Sequence, residues 1–162
     1  MSVKPSDIRF YHSSNGDLGG PISNDEIDSA KLHELFPAVG GLQAANGLTD
    51  YRCLYIRNHN ANDILENVQV YLTTTPQSPN VTIELGLGHS PANTPEQHIA
   101  DSETAPHDIN FIAADSMQSA VTAGDLTPNG GFIAIWLKRV IDAGAEALPS
   151  DHFTLAVLGE TV

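Results

Sequence analysis

The sequence predicts an all-β protein, an antiparallel two-sheet β-sandwich with an irregular N-terminal arm. Apolar and polar residues alternate over several short stretches, which is typical of strands with one buried face. Turns rich in Asn, Gly and Pro separate these stretches, and few segments have the spacing of an amphipathic helix. Roughly seven or eight such strands favour a sandwich, with immunoglobulin-like connections ranked slightly ahead of jelly-roll connections.

The composition supports the same fold class. Only 17% of the residues are charged, below the roughly 25% that is typical of soluble domains, while uncharged turn-forming residues are plentiful. A chain of 162 residues that is 41% hydrophobic can bury one sizeable core. We therefore predict a single sandwich domain over residues 49–162, preceded by an arm over residues 1–48.

The predicted arm has a less regular pattern than the rest of the chain. Residues 7–12 could form one short strand, and the glycine-rich segment after it predicts a long turn. Ser23, followed by acidic residues, has the pattern of a helix N-cap, so a short helix is expected before Pro37. Residues 40–47 predict a loop. The arm could lie on its own domain or on a neighbouring molecule, and the sequence leaves both open.

The most regular part of the chain runs from Tyr51 to Leu72, where two alternating stretches are joined by the polar turn 58–63. This pattern predicts a β-hairpin. Two strands alone bury too little apolar surface to be stable, so an opposing sheet must cover them. Residues 132–140 are apolar on both faces, which predicts a central strand in or beside that opposing sheet. Trp136 is then the largest side chain expected in the core.

The remaining strands are shorter. Val81 to Leu87 alternates cleanly and predicts a half-buried strand. Residues 88–108 are polar and contain three prolines, so we expect a surface excursion with a short strand near residues 98–100. Ile109 to Phe111 predicts another brief strand, and Phe153 to Leu158 predicts the last one.

One loop contains residue types that bind metal ions. Imidazoles and carboxylates are ligands of zinc and calcium, but the spacing here is not that of a known site, and whether the loop binds a metal stays open. The turn 58–63 lacks the glycine and the final acid of a calcium loop, so we interpret it as a structural corner. The residues of metal-ligand type in the loop described first, which follows residue 97, are His98, Asp101, Glu103, His107 and Asp108.

No motif in the chain predicts catalysis or cofactor binding. Nucleophile elbows, phosphate-binding loops and dinucleotide fingerprints are missing from the sequence. Cys53 is the only cysteine, so an internal disulfide is excluded, and its place in a strand predicts a small buried side chain. Paired carboxylates for glycoside hydrolysis stay open, because any chain with 20 acidic residues contains pairs. We predict a protein without enzymatic activity and without cofactors.

The charge balance limits the partners. Seven Lys and Arg residues stand against 20 Asp and Glu, a formal net charge of −13. Nucleic acids and anionic membranes require a basic face, so neither is expected as the main partner. No apolar run reaches the roughly 20 residues that span a bilayer. The first residues lack a signal-peptide pattern, so we expect the protein to be made in the cytoplasm and kept soluble, without export by the Sec route.

Four of the seven basic residues lie in or beside the two strands predicted to be central. They either pair with acidic loop residues of their own chain or form a local basic surface that binds the acidic residues of another subunit. In the second case, charge reversal at Arg52 or Arg57 should impair assembly more than folding. The candidate subunit contacts are Arg52, Arg57, Lys138 and Arg139.

Several sequence segments, spread over nearly the whole chain, are similar in residue order and spacing to those of one group of known proteins. They are LGGPIS (18–23), LFPAV (35–39), DYRCLYIRNHNANDILENVQVYL (50–72), VTIELGLG (81–88), ETAPHDINF (103–111), GDLTPNGGFIAIWLKRV (124–140) and DHFTLAVLGET (151–161). With these segments the chain resembles small virion structural proteins of tailed bacteriophages. The resemblance includes no catalytic motif, and no functional residue is carried over from it.

The resemblance implies a non-enzymatic virion component that coats or stabilises the capsid, and it does not assign the protein to head or tail. Because an acidic protein facing the lumen would be repelled by DNA phosphates, we predict a capsid decoration or cement protein on the outer surface of the head. Its partners would be the major capsid protein or other virion proteins, and a homotrimer is expected because shells offer threefold positions. Two alternatives stay open. One is a tail, neck or baseplate component. The other is a carbohydrate-binding or adhesion module, which should expose aromatic side chains in a groove, although aromatics are only 6% of this chain.

Overall fold

The computed structural model describes residues 2–28, 34–146 and 151–161. These ranges are mainly β-strands, and every strand pair is antiparallel. A five-stranded and a three-stranded sheet enclose a common core. The prediction of an all-β sandwich is confirmed.

The strands are β1 (Ile8–Ser13), β2 (Gly19–Gly20), β3 (Ile22–Glu26), β4 (Leu48–Asn58), β5 (Leu65–Thr74), β6 (Val81–Leu87), β7 (Glu96–His98), β8 (Val121–Leu126), β9 (Phe132–Ile141) and β10 (Thr154–Glu160). The helical segments are α1 (Ser14–Asp17), which acts as a tight turn, α2 (Gly41–Asn46), and the 3-10 turns Pro5–Asp7 and Met117–Ser119. Within the described ranges no helix is long and apolar enough to cross a membrane.

The large sheet has the strand order β3-β1-β4-β9-β6. β4 and β9 pair over almost their whole length, with Leu54 opposite Ile135 and Cys53 opposite Trp136. Trp136 and both of its neighbours in β9 are fully buried. The prediction that residues 132–140 form a central strand is confirmed, but their expected place in or beside the opposing sheet is wrong, because β9 is the direct neighbour of β4 in the same sheet.

The small sheet has the order β10-β5-β8, and it contains the strand that was expected to pair with β4. The predicted hairpin from Tyr51 to Leu72 is wrong, because the chain crosses from one sheet to the other between β4 and β5. The alternation within each strand was interpreted correctly. However, β4 already has β1 and β9 as neighbours on its two sides, so no edge of β4 is left for β5.

The main core lies between the two sheets. Side chains from the inner faces of β4, β6 and β9 meet those of β5 and β8, as expected for a sandwich. Phe36 and Ala114 contribute from connecting segments. The buried members of this core are Phe36, Leu54, Ile56, Leu65, Val68, Val70, Leu72, Ile83, Leu85, Ala114, Val121, Ala123, Leu126, Ile133, Ile135 and Leu137.

A second core covers the outer face of the large sheet. Its buried members are Tyr11, Tyr51, Cys53, Tyr55, Ile99, Ala134 and Trp136. Trp136 therefore packs outside the sandwich, and its predicted place between the sheets is wrong. The alternation of β9 puts Trp136 and Ile135 on opposite faces, and both faces are buried.

The segment after β6 runs over the surface, as predicted, and most of its residues are exposed or half-buried. Ile99 is buried in the second core, so the segment also covers that core. It contains β7, which pairs with β2. β7 begins two residues before the strand that was expected near residues 98–100. The brief strand predicted at residues 109–111 is absent from the described chain, which instead has a single bridge between Ile112 and Leu85. Ile109 and Phe111 pack against the second core.

The described part of residues 1–48 lies on its own domain. β1 pairs with β4, and β3 pairs with β1, so this segment supplies two strands of the large sheet. Ser23 was expected to cap a helix, but it belongs to β3, where its hydroxyl donates a hydrogen bond to the carbonyl of His12. The rest of the predicted helix falls partly on residues 29–33, which lie outside the described residues.

A short helix, α2, stands where the sequence predicted a loop. The Gly40 N–H donates to Oε1 of Gln43 at 2.9 Å, and the Ala44 N–H donates to the Gly40 carbonyl at 3.0 Å. The side chain of Gln43 thus satisfies a donor at the helix start that the flanking glycines cannot satisfy themselves. A six-residue helix leaves too short a periodic pattern to be recognised in the sequence.

The close approach of the covering segment to β9 can be tested at Gly88. A Cβ at this position would lie 2.8 Å from the Cβ and 2.9 Å from the carbonyl oxygen of Ala134. Gly88→Ala should therefore destabilise the protein by about 1–3 kcal/mol and lower the Tm by several degrees in thermal denaturation. Gly41→Ala is the matched control, since a Cβ there meets no atom within 4 Å. Equal Tm values for the two variants would contradict the packing of residue 88 on β9.

Candidate functional site: a charged end of the sandwich

At one end of the large sheet, the inner face changes from apolar to charged. His12 pairs with Leu54 in the sheet, Arg52 lies two residues before Leu54, and Arg139 lies two residues after Leu137. Because side chains alternate along a strand, these basic residues share the face of the main core. We call the following six side chains the charged end: His12, Asp17, Glu34, Asp50, Arg52 and Arg139.

Asp50 is the central carboxylate of the charged end, with a side chain only 2% exposed. Arg139 donates two parallel hydrogen bonds to it, Nε to Oδ1 at 2.9 Å and Nη2 to Oδ2 at 2.8 Å. The Nη1 atom of Arg52 lies 3.7 Å from Oδ2 and donates to the carbonyl of Tyr51 at 2.8 Å. A bidentate pair of this kind fixes geometry as well as charge.

Phe36 lies against both guanidinium groups. Its ring centroid is 5.3 Å from Cζ of Arg52 and 4.6 Å from Cζ of Arg139, which are cation–π distances. Arg139 also donates from Nη1 to the carbonyl of Pro37 at 3.0 Å. We call residues 34–37 the strap, since these contacts hold the segment on the charged end.

His12 connects the strap to the turn after β1. Its Nδ1 lies 2.8 and 2.9 Å from the two carboxylate oxygens of Asp17, and its Nε2 lies 2.9 Å from Oε1 of Glu34. Burial alone lowers the pKa of His12, but the hydrogen bonds to Glu34 and Asp17 outweigh it and raise the pKa above its ordinary value. The arrangement therefore favours an imidazolium between two carboxylates.

The charged end borders a cleft of about 490 Å³. His12, Asp17 and Glu34 line it together with Ser23 and Asp25. Both ring nitrogens of His12 face carboxylates, so the imidazole has no lone pair directed at a molecule in the cleft. The geometry stabilises the protonated imidazole, and it does not direct a general base at the cleft.

A second buried carboxylate, Glu96, holds the covering segment on the outer face. It accepts hydrogen bonds from the backbone N–H groups of His89, Ser90 and Gln97, from the Ser90 hydroxyl at 3.0 Å, and from Nε1 of Trp136 at 3.3 Å. Five donors satisfy a carboxylate that is 4% exposed. Glu96 lies in a polar stretch between turns, so no periodic signal in the sequence indicates its burial.

Tyr55 and Cys53 belong to the same outer core. The Tyr55 hydroxyl donates to the Gly20 carbonyl and accepts from the Glu96 N–H at 2.9 Å, and burial raises its pKa to about 12. Cys53 is fully buried, and burial raises the pKa of its thiol well above the ordinary value. The interpretation of Cys53 as a small buried side chain is confirmed.

The structure separates the four predicted contact residues into two pairs. Arg52 and Arg139 lie together in the charged end and are 8% exposed. Arg57 and Lys138 lie on the opposite face of the sheet. Arg57 donates to the Gly130 carbonyl at 3.1 Å, and Nζ of Lys138 lies 6.0 Å from the ring centroid of Phe111. Charge reversal at Arg52 is therefore expected to disrupt folding first, whereas the role of the four residues as subunit contacts stays a prediction.

The loop with metal-ligand residue types shows local contacts of its own. Oδ1 of Asp101 accepts hydrogen bonds from the Glu103 N–H and the Thr104 hydroxyl. Among the residues that the structure describes, no group of three or more His, Cys, Asp or Glu side chains is arranged to hold a metal ion. At the other turn, the Asn58 amide donates to the carbonyls of Asp63 and Leu126. This confirms the structural corner.

Comparison of the chain with protein-family models, with curated proteins and with solved structures found no match. The resemblance to virion proteins therefore rests on the sequence alone.

Removal of the Asp50 charge tests the charged end. Asp50→Asn leaves two nearly buried guanidinium groups without their carboxylate, which should cost about 3–5 kcal/mol of unfolding free energy in urea denaturation. Glu26→Gln is the matched control, because Glu26 and Arg9 form an exposed pair at 3.7 Å, worth at most about 1 kcal/mol. A loss below 1 kcal/mol in both variants would contradict a central role for Asp50.

Proposed function

We propose that the protein is a non-enzymatic virion structural protein. It acts as a capsid decoration or cement protein on the outer surface of the head and stabilises the shell through protein–protein contacts. Its partners are the major capsid protein or other virion proteins. The resemblance of its sequence segments to small phage structural proteins supports this role, and one exposed loop supplies the geometric support.

That loop comprises residues 37–47 and contains α2. It has no charged residue in a chain of net charge −13. Leu42 is 75% exposed, and Val39 is exposed as well. We call this segment the Leu42 loop. Exposed apolar surface that is grouped in one place is a feature that partner proteins bind, and Val39 and Leu42 are three residues apart in this uncharged segment.

The Leu42 loop is anchored at both ends. Arg139 donates to the Pro37 carbonyl at the start, and the Ala44 carbonyl accepts from the N–H groups of Gly144 at 2.8 Å and Ala145 at 3.1 Å near the end. An anchored loop loses less conformational entropy on binding than a free one. This observation carries the proposal of a protein-binding function.

The charge of the protein supports an outer position on a shell. An acidic protein facing the lumen would meet the phosphates of packaged DNA and be repelled. Acidic copies on the outside also repel one another, so their contacts with neighbours require uncharged or basic surface. The Leu42 loop supplies uncharged surface, and we propose a trimer at the threefold positions of the shell.

The two alternatives make different predictions. A tail, neck or baseplate component would be present in few copies per particle, whereas a decoration protein is present in many. A carbohydrate-binding module would expose aromatic side chains. All the aromatic residues of this chain lie in the described ranges, and each is buried or half-buried, so the geometry favours the decoration protein over this module.

Particles that lack the protein test the proposal. We expect electron microscopy to show the loss of density on the outer head surface, and the particles to be less resistant to heat and low salt. Quantitative gel staining of complete particles should show many copies. Unchanged surface density and unchanged resistance would refute the decoration role, and a low copy number would favour the tail component.

Binding of purified variants to such depleted particles tests the Leu42 loop. Burial of a leucine side chain contributes about 1.5–3 kcal/mol, so Leu42→Ser should weaken binding by at least about tenfold without lowering the Tm. Met117→Ser is the control, since Met117 is 50% exposed in another part of the fold, and it should bind like the unmodified protein. Equal binding of both variants in a co-sedimentation titration would exclude the Leu42 loop as the contact.

A further inference from the structure

We propose that the strap, residues 34–37, is a pH-sensitive latch that is held on the charged end while His12 is protonated and is loosened when His12 becomes neutral. This inference rests on the contacts of the charged end and does not depend on a role in a virion.

The hydrogen bonds of His12 require two donors. Asp17 faces Nδ1 at 2.8 Å, and Glu34 of the strap faces Nε2 at 2.9 Å. An imidazolium donates from both nitrogens, whereas a neutral imidazole has one N–H and one lone pair. Loss of the proton therefore leaves one carboxylate facing a lone pair, and that contact becomes repulsive.

The charges of the surrounding elements point in the same direction. With His12 protonated, the charged end has three positive and three negative groups. Asp25 of β3 lines the same cleft and adds a further negative charge. Arg52 of β4 interacts electrostatically with Asp17, while Asp50 and Arg139 neutralise each other nearby. Deprotonation of His12 thus removes one positive charge from between two nearly buried carboxylates, which is unfavourable.

The pH window follows from the direction of the pKa shift. Hydrogen bonds to Glu34 and Asp17 raise the pKa of His12 against the effect of burial, above the ordinary histidine value of about 6.5. The stabilisation is complete below that ordinary value and is lost as the pH rises through the pKa of the folded state. Burial also raises the pKa of Asp17, more than His12 lowers it, but Asp17 contacts His12 and not the strap.

The strap carries a reporter of its position. The ring of Phe36 contacts the ring of Phe153 edge-on, with centroids 6.2 Å apart. This contact gives a proton–proton cross-peak in NMR spectra only while the strap is docked. The imidazole signals of His12 report its protonation in the same sample.

The test follows both signals between about pH 5.5 and about pH 8.5, which bracket the histidine range. We expect the cross-peak between Phe36 and Phe153 at the lower pH and its loss at the higher pH, with the same midpoint as the His12 titration. A cross-peak that persists through the titration of His12 would overturn the proposal, as would a His12 that does not titrate in this range.

Two variants and a control locate the effect. His12→Gln is uncharged and has both its N–H donors on one nitrogen, so it cannot replace the two opposed ring donors, and the cross-peak should be weak at both pH values. His107→Gln is the control, because His107 is exposed and its backbone N–H and carbonyl, rather than its imidazole, form hydrogen bonds with the Gln97 side chain. It should retain the pH dependence of the unmodified protein. A normal pH dependence in His12→Gln would overturn the proposal.

Glu34→Gln tests whether His12 controls the strap even if His12→Gln does not fold. The substitution removes the carboxylate that repels a neutral imidazole, while the amide can still contact Nε2. The pKa of His12 should fall, and the cross-peak should persist at the higher pH. Loss of the cross-peak in Glu34→Gln at the same pH as in the unmodified protein would show that His12 does not control the strap.

Discussion

The burial of both faces of the large sheet is the constraint on which the rest of the structure depends. In β9, Ile135 and Leu137 face the small sheet, while Trp136 faces the opposite side, and all three are fully buried. The small sheet covers only one face, so the chain must supply a second cover. A covering segment with little regular structure has unpaired backbone donors, and Glu96 accepts several of them where the segment crosses Trp136. The outer core and the buried carboxylate of Glu96 therefore both follow from the need to cover the outer face of the large sheet.

The charged end follows from the same strands. Where β4 and β9 of the large sheet extend beyond the cover of the small sheet, their inner faces carry Asp50, Arg52 and Arg139 in place of apolar residues. Buried ion pairs contribute little net stability, because desolvation offsets their attraction, but they determine which groups can lie together. The flat faces of two guanidinium groups accept the ring of Phe36. The pairs at Asp50 thus supply the surface on which Phe36 of the strap packs.

The alternation of apolar and polar residues predicted which segments form strands, because this property depends on local structure. The alternation of Val81 to Leu87 and the two apolar faces of residues 132–140 identified β6 and β9, since side-chain direction is set within a strand. The partner of β4 could not be predicted in this way, because sheet pairing depends on which edges other strands have already taken. The alternation of β4 and β9 showed that Arg52 and Arg139 lie in these strands, but the role of these residues as subunit contacts stays a prediction. Their partner Asp50, two residues before Arg52, was detectable by the same alternation, whereas the contact of His12 with Glu34 leaves no local signal.

Arg139 links the strap to the exposed loop. It binds Asp50 and the ring of Phe36 on the strap, and it also anchors the Pro37 carbonyl at the start of the Leu42 loop. A docked strap therefore preorganises the loop and reduces the entropy lost when a partner binds it. Coupling of two binding events is reciprocal. A partner that binds the anchored form of the loop must then raise the proton affinity of His12, so the proton and the partner favour the same conformation.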